Sequence, residues 1–468
     1  MLFTSYAFLV LVILTFLLYY LPATKRFQVQ ILIISSLIFY SYEQPILVLL
    51  LLFSAGINIF TSYYVVYGQG GNKKSVALTG VLVNLFVLAF FKYSPLFANT
   101  FFNATDSIGQ FLLTLPLPIG ISFFTFEGVS LVIDVYNQKY FDSRDVIPPS
   151  LQKHAQRTLL FISFFPHLVA GPIVKAHDFL PQIGNKKFSD INWESVFKTL
   201  VIGFFLKMVV ANNLKDFTFG ISYPNFTYLS SFTSLSLLFG YSIQIFADFA
   251  GYSLMAIGLA SMFGYVLMDN FNFPYIATSF KNFWKRWHIS LSTFLMEYLY
   301  VPLGGNRKGK IRTYINLMIT MFLGGLWHGA AWSYAVWGSF HGGALAIERM
   351  IGNKIKLPPT LIVKILKGLM VFSFVTIAWL LFQLPEFEHV IKFCESVMQN
   401  RDMPDDILVI TYIFLYSSPV IIYHLFYLLR KKSFFIKYRN FDYLIYGFLL
   451  FLIITNSGSS GAFIYFQF

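Results

Sequence analysis

The chain has 468 residues, 57% of them hydrophobic and only 12% charged, with a formal net charge of +13. That much apolar surface exceeds what a soluble core needs, and the apolar residues run continuously rather than alternating, which excludes a membrane β-barrel. The lysines and arginines are scattered between apolar spans, so we read them as cytoplasmic anchors of an all-α, polytopic membrane protein in a lipid bilayer, with no nucleic-acid partner.

Residues 3–21 lack a basic leading region and a small-residue cleavage site, and Lys25 and Arg26 follow them. They are expected to form the first span rather than a cleaved signal peptide. With the basic residues inside, residues 28–42 return outward, 45–66 go in to "GQGGNKK", 76–92 go out, 93–116 are external and 117–136 go in. Residues 158–173, "TLLFISFFPHLVAGPI", are broken at Pro166, His167 and Gly171-Pro172, and both flanks are basic. This predicts a re-entrant segment, because non-helical backbone at that depth survives only when buried in protein or lining a wet cavity. Residues 196–214 go out and 229–247 return, which makes 249–266 one apolar segment too many before Lys281, Lys285 and Arg286. They are read as a second re-entrant or tilted helix. The remainder alternates: 312–327 out, 331–349 in, 365–383 out, 406–429 in to "RKKSFFIKYR", and 442–455 out. The sum is about twelve crossings in a single membrane-embedded domain, both termini outside and without internal repeats. The single cysteine, Cys394, forbids an internal disulfide and a paired-cysteine metal site. No metal and no permanently bound cofactor are expected.

Ionisable residues inside spans are costly and point to function. Residues 312–327 rise only about 24 Å as a helix, less than a hydrocarbon core of roughly 30 Å. His328, in "FLGGLWHGAA", should therefore lie within the membrane. Gly324, Gly325 and Gly329 remove side chains around it, so that a substrate or another backbone can approach closely. A neutral imidazole with a pKa of about 6.5 suits general-base work on a hydroxyl; a histidine hydrogen-bonded to a neighbouring helix for packing is the alternative. In "FKNFWKRWHIS", residues 280–290, rings interleave with Lys281, Lys285 and Arg286 before His288. An interfacial helix explains the cations and explains His288 less well. Glu127 and Asp134, seven apart on one face, and Asp248 beside Gly251 each suit either pairing with a buried cation or capping of a broken helix, and structural pairing is favoured for Glu127 and Asp134. The loop "GGNRKGKIR", residues 304–312, either holds the phosphates of a cytoplasmic cofactor or anchors the chain.

Together, "LPIGISFFTFEGVSLVIDVY", "FFPHLVAGPIVKAHDFLPQI", "QIFADFAGYSLMAIGLASMFGY", "NFNFPYIATSFKNFWKRWHISLSTFL", "YLYVPLGGNRKG", "GGLWHGAAWSYAVWGSFHG" and the ending "FIYFQF" resemble the membrane-bound O-acyltransferase (MBOAT) family, in its alginate O-acetyltransferase membrane-subunit branch. The resemblance implies a ring of tilted helices around a thin centre pierced by a channel, in a bacterial cytoplasmic membrane. An acetyl group would enter from a cytoplasmic thioester, acetyl-CoA as donor substrate, and leave outward for O-acetylation of a cell-surface polysaccharide such as alginate or peptidoglycan. The family's invariant histidine matches His328 and its second histidine matches His288. The donor would pass Trp287 and Arg286. Trp327, Gly325, Gly329 and Asp248 are further channel candidates, and Lys285, Arg307 and Lys308 would bind the donor's phosphates. The branch works with an extracytoplasmic SGNH-type acetyltransferase. One departure is Met296-Glu297, where the branch commonly has Arg-Asp, which puts any role of that arginine in doubt. The alternatives are D-alanyl-type transfer within the same family, and a transporter or flippase without chemistry, against which the missing inverted repeat argues.

Overall fold

The computed structural model describes residues 1–103, 106–352, 358, 360–429 and 442–459, and every described regular element is helical. Five helices are long and apolar enough to cross a bilayer, and Tyr6–Tyr20 with Pro22–Ser41 qualify together across a 98° bend. The twelve-crossing arrangement is a proposal from loop charge. Its expected cytoplasmic "RKKSFFIKYR" loop and external Phe468 lie outside the described residues.

The chain divides into two compact units, Met1–Thr199 with Met255–Met268, and Leu200–Leu254 with Asp269–Phe468. In the first unit, α1 (Tyr6–Tyr20) begins at Ser5, whose hydroxyl accepts from the Phe8 amide, and ends at Leu21. Leu21 precedes Pro22 and is extended, as a residue before proline prefers. α2 (Gln28–Ser41), α3 (Val48–Tyr67) and α4 (Lys73–Phe101) follow. α3 and α4 are joined by amides: Asn84 donates to Asn58 Oδ1 at 3.0 Å, and Asn58 donates back to Asn84 Oδ1 at 3.1 Å. Such interhelical hydrogen bonds act where lipid gives helices no hydrophobic reason to associate.

The next helix, α5 (Ile121–Asn137), buries nearly its whole circumference, including Glu127, Ser130 and Asp134. These three form one polar edge that holds the broken stretch after α6 (Leu151–Ser163). Glu127 Oε1 lies 2.7 Å from His167 Nδ1. Ser130 Oγ accepts from the Ala176 amide at 3.0 Å, and Asp134 Oδ2 from His177 Nδ1 at 2.8 Å and its amide at 3.3 Å. Backbone that leaves the helix here is thus supplied with side-chain partners, as buried non-helical chain requires.

α7 (Trp193–Phe204) runs through a π-helical stretch, Phe205–Ala211, into α8 (Asn212–Thr218). Residues 229–266 correct the charge-based division near residue 248: they contain one uninterrupted helix, α9 (Ser231–Met262). Its 32 residues rise about 48 Å, more than a bilayer core. The apparent extra segment is surplus length in a single helix. No proline interrupts it, and Gly251 allows close packing: a Cβ there would lie 2.9 Å from the Gly203 carbonyl oxygen and the Lys207 amide.

The second unit continues with α10 (Phe280–Trp284), α11 (Ile289–Leu295), α12 (Gly309–His328), α13 (Trp332–Gly352), α14 (Leu361–Ala378), α15 (Phe387–Gln399), α16 (Ile407–Leu429) and α17 (Asp442–Thr455). α12 and α13 form a hairpin in which Gly325 and Gly338 let the two backbones meet closely. A Cβ on Gly325 would lie 2.2 Å from the Tyr334 carbonyl oxygen, and one on Gly338 would lie 2.2 Å from that of Met321.

Candidate active site

Two helix termini bring a pair of histidines together, and one of the two lies on a small cavity. α12 ends at His328, and its cap residue Gly329 is extended. A Cβ on Gly329 would strike the Tyr334 ring at 2.3 Å. Glycine at 325 and 329 therefore serves the close approach of another part of the chain, one of the two uses the sequence allows. Gly324 and Gly325 also line a cavity of about 140 Å³ whose wall includes His328, Trp284, Ser292 and Met321.

His288 comes from the other side. Glu348 on α13 accepts from the amides of Phe280 and Lys281 and so fixes the start of α10. Ser279 caps the same turn by accepting from the Asn282 amide at 3.0 Å. The chain then turns sharply: His288 has φ 44° and ψ 56°, the left-handed region that bulky residues seldom occupy. Asn270 holds this turn. Its backbone oxygen accepts from the Ile289 amide at 2.9 Å, and its Oδ1 from Ser290 Oγ at 2.8 Å. The same Oδ1 lies 3.1 Å from His288 Nδ1, so this ring nitrogen carries the proton and donates. Nε2 is thereby the basic nitrogen of the neutral ring. A strained backbone held by its surroundings is a common mark of functional sites.

The result is a pair. His288 and His328, forty residues apart in sequence, have ring centroids 6.1 Å apart, and both are buried. Aromatic rings enclose them. Trp327, Trp337 and Phe382 lie 5.1, 5.1 and 5.3 Å from His328, and Phe249 meets His288 edge-on at 4.6 Å. Rings exclude water while leaving one face of His328 on the cavity. That is the setting in which a base and a developing charge interact most strongly.

The other sequence candidates distribute unevenly. Trp327 touches both histidines. Trp287 is fully buried against Phe283 and Trp379, behind His288 and off the cavity. Arg286 donates to Asn282 Oδ1 and to the Asn272 carbonyl, at 3.0 and 2.8 Å, and so braces the turn. Lys285, Arg307 and Lys308 are exposed. The latter two precede α12, whose 20 residues put them about 30 Å from His328 along the helix. Asp248 does not reach the histidine cavity; it pairs with Lys207 Nζ at 2.5 Å and lines a separate one. Among the described residues no cluster of three histidine, cysteine or acidic side chains is arranged for a metal.

Sequence reading missed Asn270, Trp337, Phe382 and His341. His341 stacks on Phe283 and meets Trp284 and Trp337, and neither ring nitrogen has a hydrogen-bond partner. Its signal was present in "GSFHGG", a histidine inside an apolar helix one turn from the tryptophan that covers His328.

A sequence model described as the membrane-bound O-acyltransferase family matches residues 35–387. The chain is 37% identical over 410 residues to the "Probable alginate O-acetylase AlgI" of Pseudomonas aeruginosa, covering 85% of this chain and 75% of that protein. It is 34% identical over 386 residues to the peptidoglycan O-acetyltransferase of Helicobacter pylori, covering 78% and 73%. Identity to the teichoic acid D-alanyltransferase of Bacillus subtilis is 28% over 385 residues, covering 78% and 93%.

Proposed function

The chain belongs to the membrane-bound O-acyltransferase family, and from that premise we propose that it passes an acetyl group from acetyl-CoA at the cytoplasmic face to an acceptor hydroxyl for O-acetylation of a cell-surface polysaccharide. That it is a multi-pass membrane acyltransferase follows from the family and the apolar helices. The names of the alginate and peptidoglycan O-acetylating relatives, at 37% and 34% identity against 28% for the D-alanyl transferase, favour acetyl as the group moved. The membrane is the bacterial cytoplasmic membrane, and the final glycan acceptor is reached through an extracytoplasmic SGNH-type partner.

The observation that carries the mechanism is the buried histidine pair, of which His328 lies on the wall of a small cavity. The acetyl thioester lies in that cavity with its carbonyl near His328. The acceptor oxygen attacks the carbonyl carbon as His328 takes its proton. The carbon–sulfur bond breaks, the thiolate leaves, and the proton returns to sulfur. His288, held by Asn270, orients the acceptor or the carbonyl from the other side. The small volume of this cavity, about 140 Å³, favours a two-carbon acyl group over a long chain.

The test is transfer of labelled acetyl from acetyl-CoA by the purified chain in nanodiscs, with its glycan partner supplied. Release of free coenzyme A that depends on His328 supports the reading. Transport of the intact thioester or of a glycan, with no thioester cleavage, would establish the transporter alternative instead.

A further inference from the structure

The first unit carries a groove of about 800 Å³ between α3 and α4, open along one side. Both helices are long and apolar enough to cross a bilayer, and the rim residues Phe53 and Phe60 are 54% and 68% exposed, so the open side faces lipid. On α4 the wall runs from Asn72 to Val83, a rise of about 16 Å. That is close to half of a hydrocarbon core of roughly 30 Å, the depth of one leaflet. The groove begins at the loop 68–72, which Lys73 and Lys74 assign to the cytoplasmic side.

Bulk lipid does not account for the polarity of this wall. Asn72, Ser75 and Thr79 follow one another along one face of α4, and Thr61 meets them from α3, packed on Gly80. Among the described residues, none of these four side chains makes a hydrogen bond to the protein, and Thr61 is only 8% exposed. Hydroxyls on the neighbouring helices behave otherwise: Thr15, Ser36 and Ser62 each donate to the carbonyl one turn earlier. A polar group left unpaired at membrane depth is costly, so four of them on one wall point to a ligand that accepts hydrogen bonds. Room is provided at the deep end by Gly56, where a Cβ would meet nothing within 4 Å. At the mouth the charge has one sign. Lys73 and Lys74 open α4, the free amides of its first turn add to them, and no acid occurs in the chain between Glu43 and Asp106.

We propose that this groove binds one anionic diacyl phospholipid of the cytoplasmic leaflet. The phosphodiester lies at the N-terminus of α4, where Asn72 and Ser75 donate hydrogen bonds and Lys74 supplies charge. Lys73, whose Nζ donates to the Val66 carbonyl at 3.3 Å, adds to the same field. Thr79 is one turn deeper, about 6 Å from Ser75 along the axis, the span of a glycerol backbone. Thr79 and Thr61 donate to the two ester carbonyls, and one acyl chain runs over Gly56 between Phe53 and Val83. A second copy of this chain is the rival occupant, since small residues let membrane helices approach. In a two-fold pair sharing one membrane, however, Lys73 and Lys74 would meet their own copies at the same depth.

The full chain is purified in detergent, and phosphatidylglycerol or phosphatidylcholine with the same acyl chains is titrated in and counted by native mass spectrometry. One phosphatidylglycerol per chain should be retained in preference to phosphatidylcholine. Lys73→Gln combined with Lys74→Gln should cut that preference roughly twentyfold, at about fivefold for each lysine near a membrane surface. Thr79→Val, which keeps the shape, should weaken both lipids by about threefold to tenfold, the worth of one hydrogen bond. Gly56→Leu should abolish retention of both, because leucine takes the path of the acyl chain. Gly447→Leu adds the same bulk on α17, where a Cβ also meets nothing within 4 Å, and should change nothing. Matching unfolding temperatures establish that the variants fold; should the lysine variant unfold, Thr79→Val and Gly56→Leu carry the test. Equal retention of the two lipids, retention of neither, or unchanged retention in Gly56→Leu and Thr79→Val would each overturn the proposal. A dimer mass that disappears in Gly56→Leu would assign the groove to a second copy of the chain instead.

Discussion

His167 and His328 are both enclosed histidines in apolar helical surroundings, yet their neighbours differ in kind. His167 lies 2.7 Å from Glu127, and one turn pair further along α5 the same arrangement recurs between His177 and Asp134. Both pairs hold a stretch of chain that has left the helix. His328 instead faces tryptophan and phenylalanine rings, a second histidine and a cavity. A carboxylate at hydrogen-bond distance fixes an imidazole and commits its basicity to that partner. At His328 a cage of rings instead holds the imidazole on the wall of a cavity that a substrate can enter. The residue type is shared; what it can do is decided by the partner.

The largest effect expected from this contrast is at His328. His328→Gln should lower acetyl transfer by about 10²–10⁴-fold, the usual contribution of a general base, because the amide hydrogen-bonds but takes no proton at neutral pH. Its unfolding temperature should match wild type. His167→Gln measured in parallel should show the reverse pattern. If His167→Gln lost turnover with its fold intact while His328→Gln kept it, the two histidines would have to exchange roles.

Next comes the carboxylate side of the contrast. Glu127→Ala takes the polar neighbour away from buried His167, a change that typically costs about 1–3 kcal/mol. The expected outcome is a smaller folded fraction after heating, read by fluorescence-detected size exclusion. Full recovery at wild-type temperatures would mean that the pair does not secure the broken segment.

Gly325→Ala should have an intermediate effect. Its Cβ would lie 2.2 Å from the Tyr334 carbonyl oxygen and 2.9 Å from Gly338 Cα, so the α12–α13 hairpin has to open. Overpacking of this kind costs about 1–3 kcal/mol and should shift His328 at the helix end. Gly343→Ala on the same hairpin, where a Cβ meets nothing within 4 Å, is the control and should be neutral. Equal behaviour of the two variants would remove the glycine contact from the account.

How much of this the sequence disclosed follows the range of each signal. Local signals were strong. Apolar runs announced a helical membrane protein, and "RWHIS" and "WHGA" each marked a histidine out of place in such runs. Pro166 and Gly171-Pro172 marked the break after α6, where the structure leaves the helix. Signals that depend on distant partners were absent. Nothing local says that Asn270 will hold His288, that Gly325 will face Gly338, or that Lys207 will meet Asp248. Charge alternation assumes that each apolar run is one crossing, and it failed at α9, where 32 residues remain a single helix.

His341 offers a third environment and the finest test. It has rings on several sides, as His328 does, but both of its nitrogens lack hydrogen-bond partners, and it is not on the wall of the 140 Å³ cavity. If enclosure by rings were enough to make a functional histidine, His341 would be one. If access to the cavity is required, His341 acts only by supporting Trp284 and Trp337, which do line it. His341→Phe keeps an aromatic ring in the same cage and removes two buried polar atoms that otherwise cost about 1–3 kcal/mol each when unpaired. We therefore expect a higher unfolding temperature, with turnover kept within about tenfold of wild type, well short of the loss at His328. A more stable His341→Phe protein with turnover as low as that of His328→Gln would show that the histidine is retained for its chemistry, and that proton transfer in this site extends beyond the cavity wall.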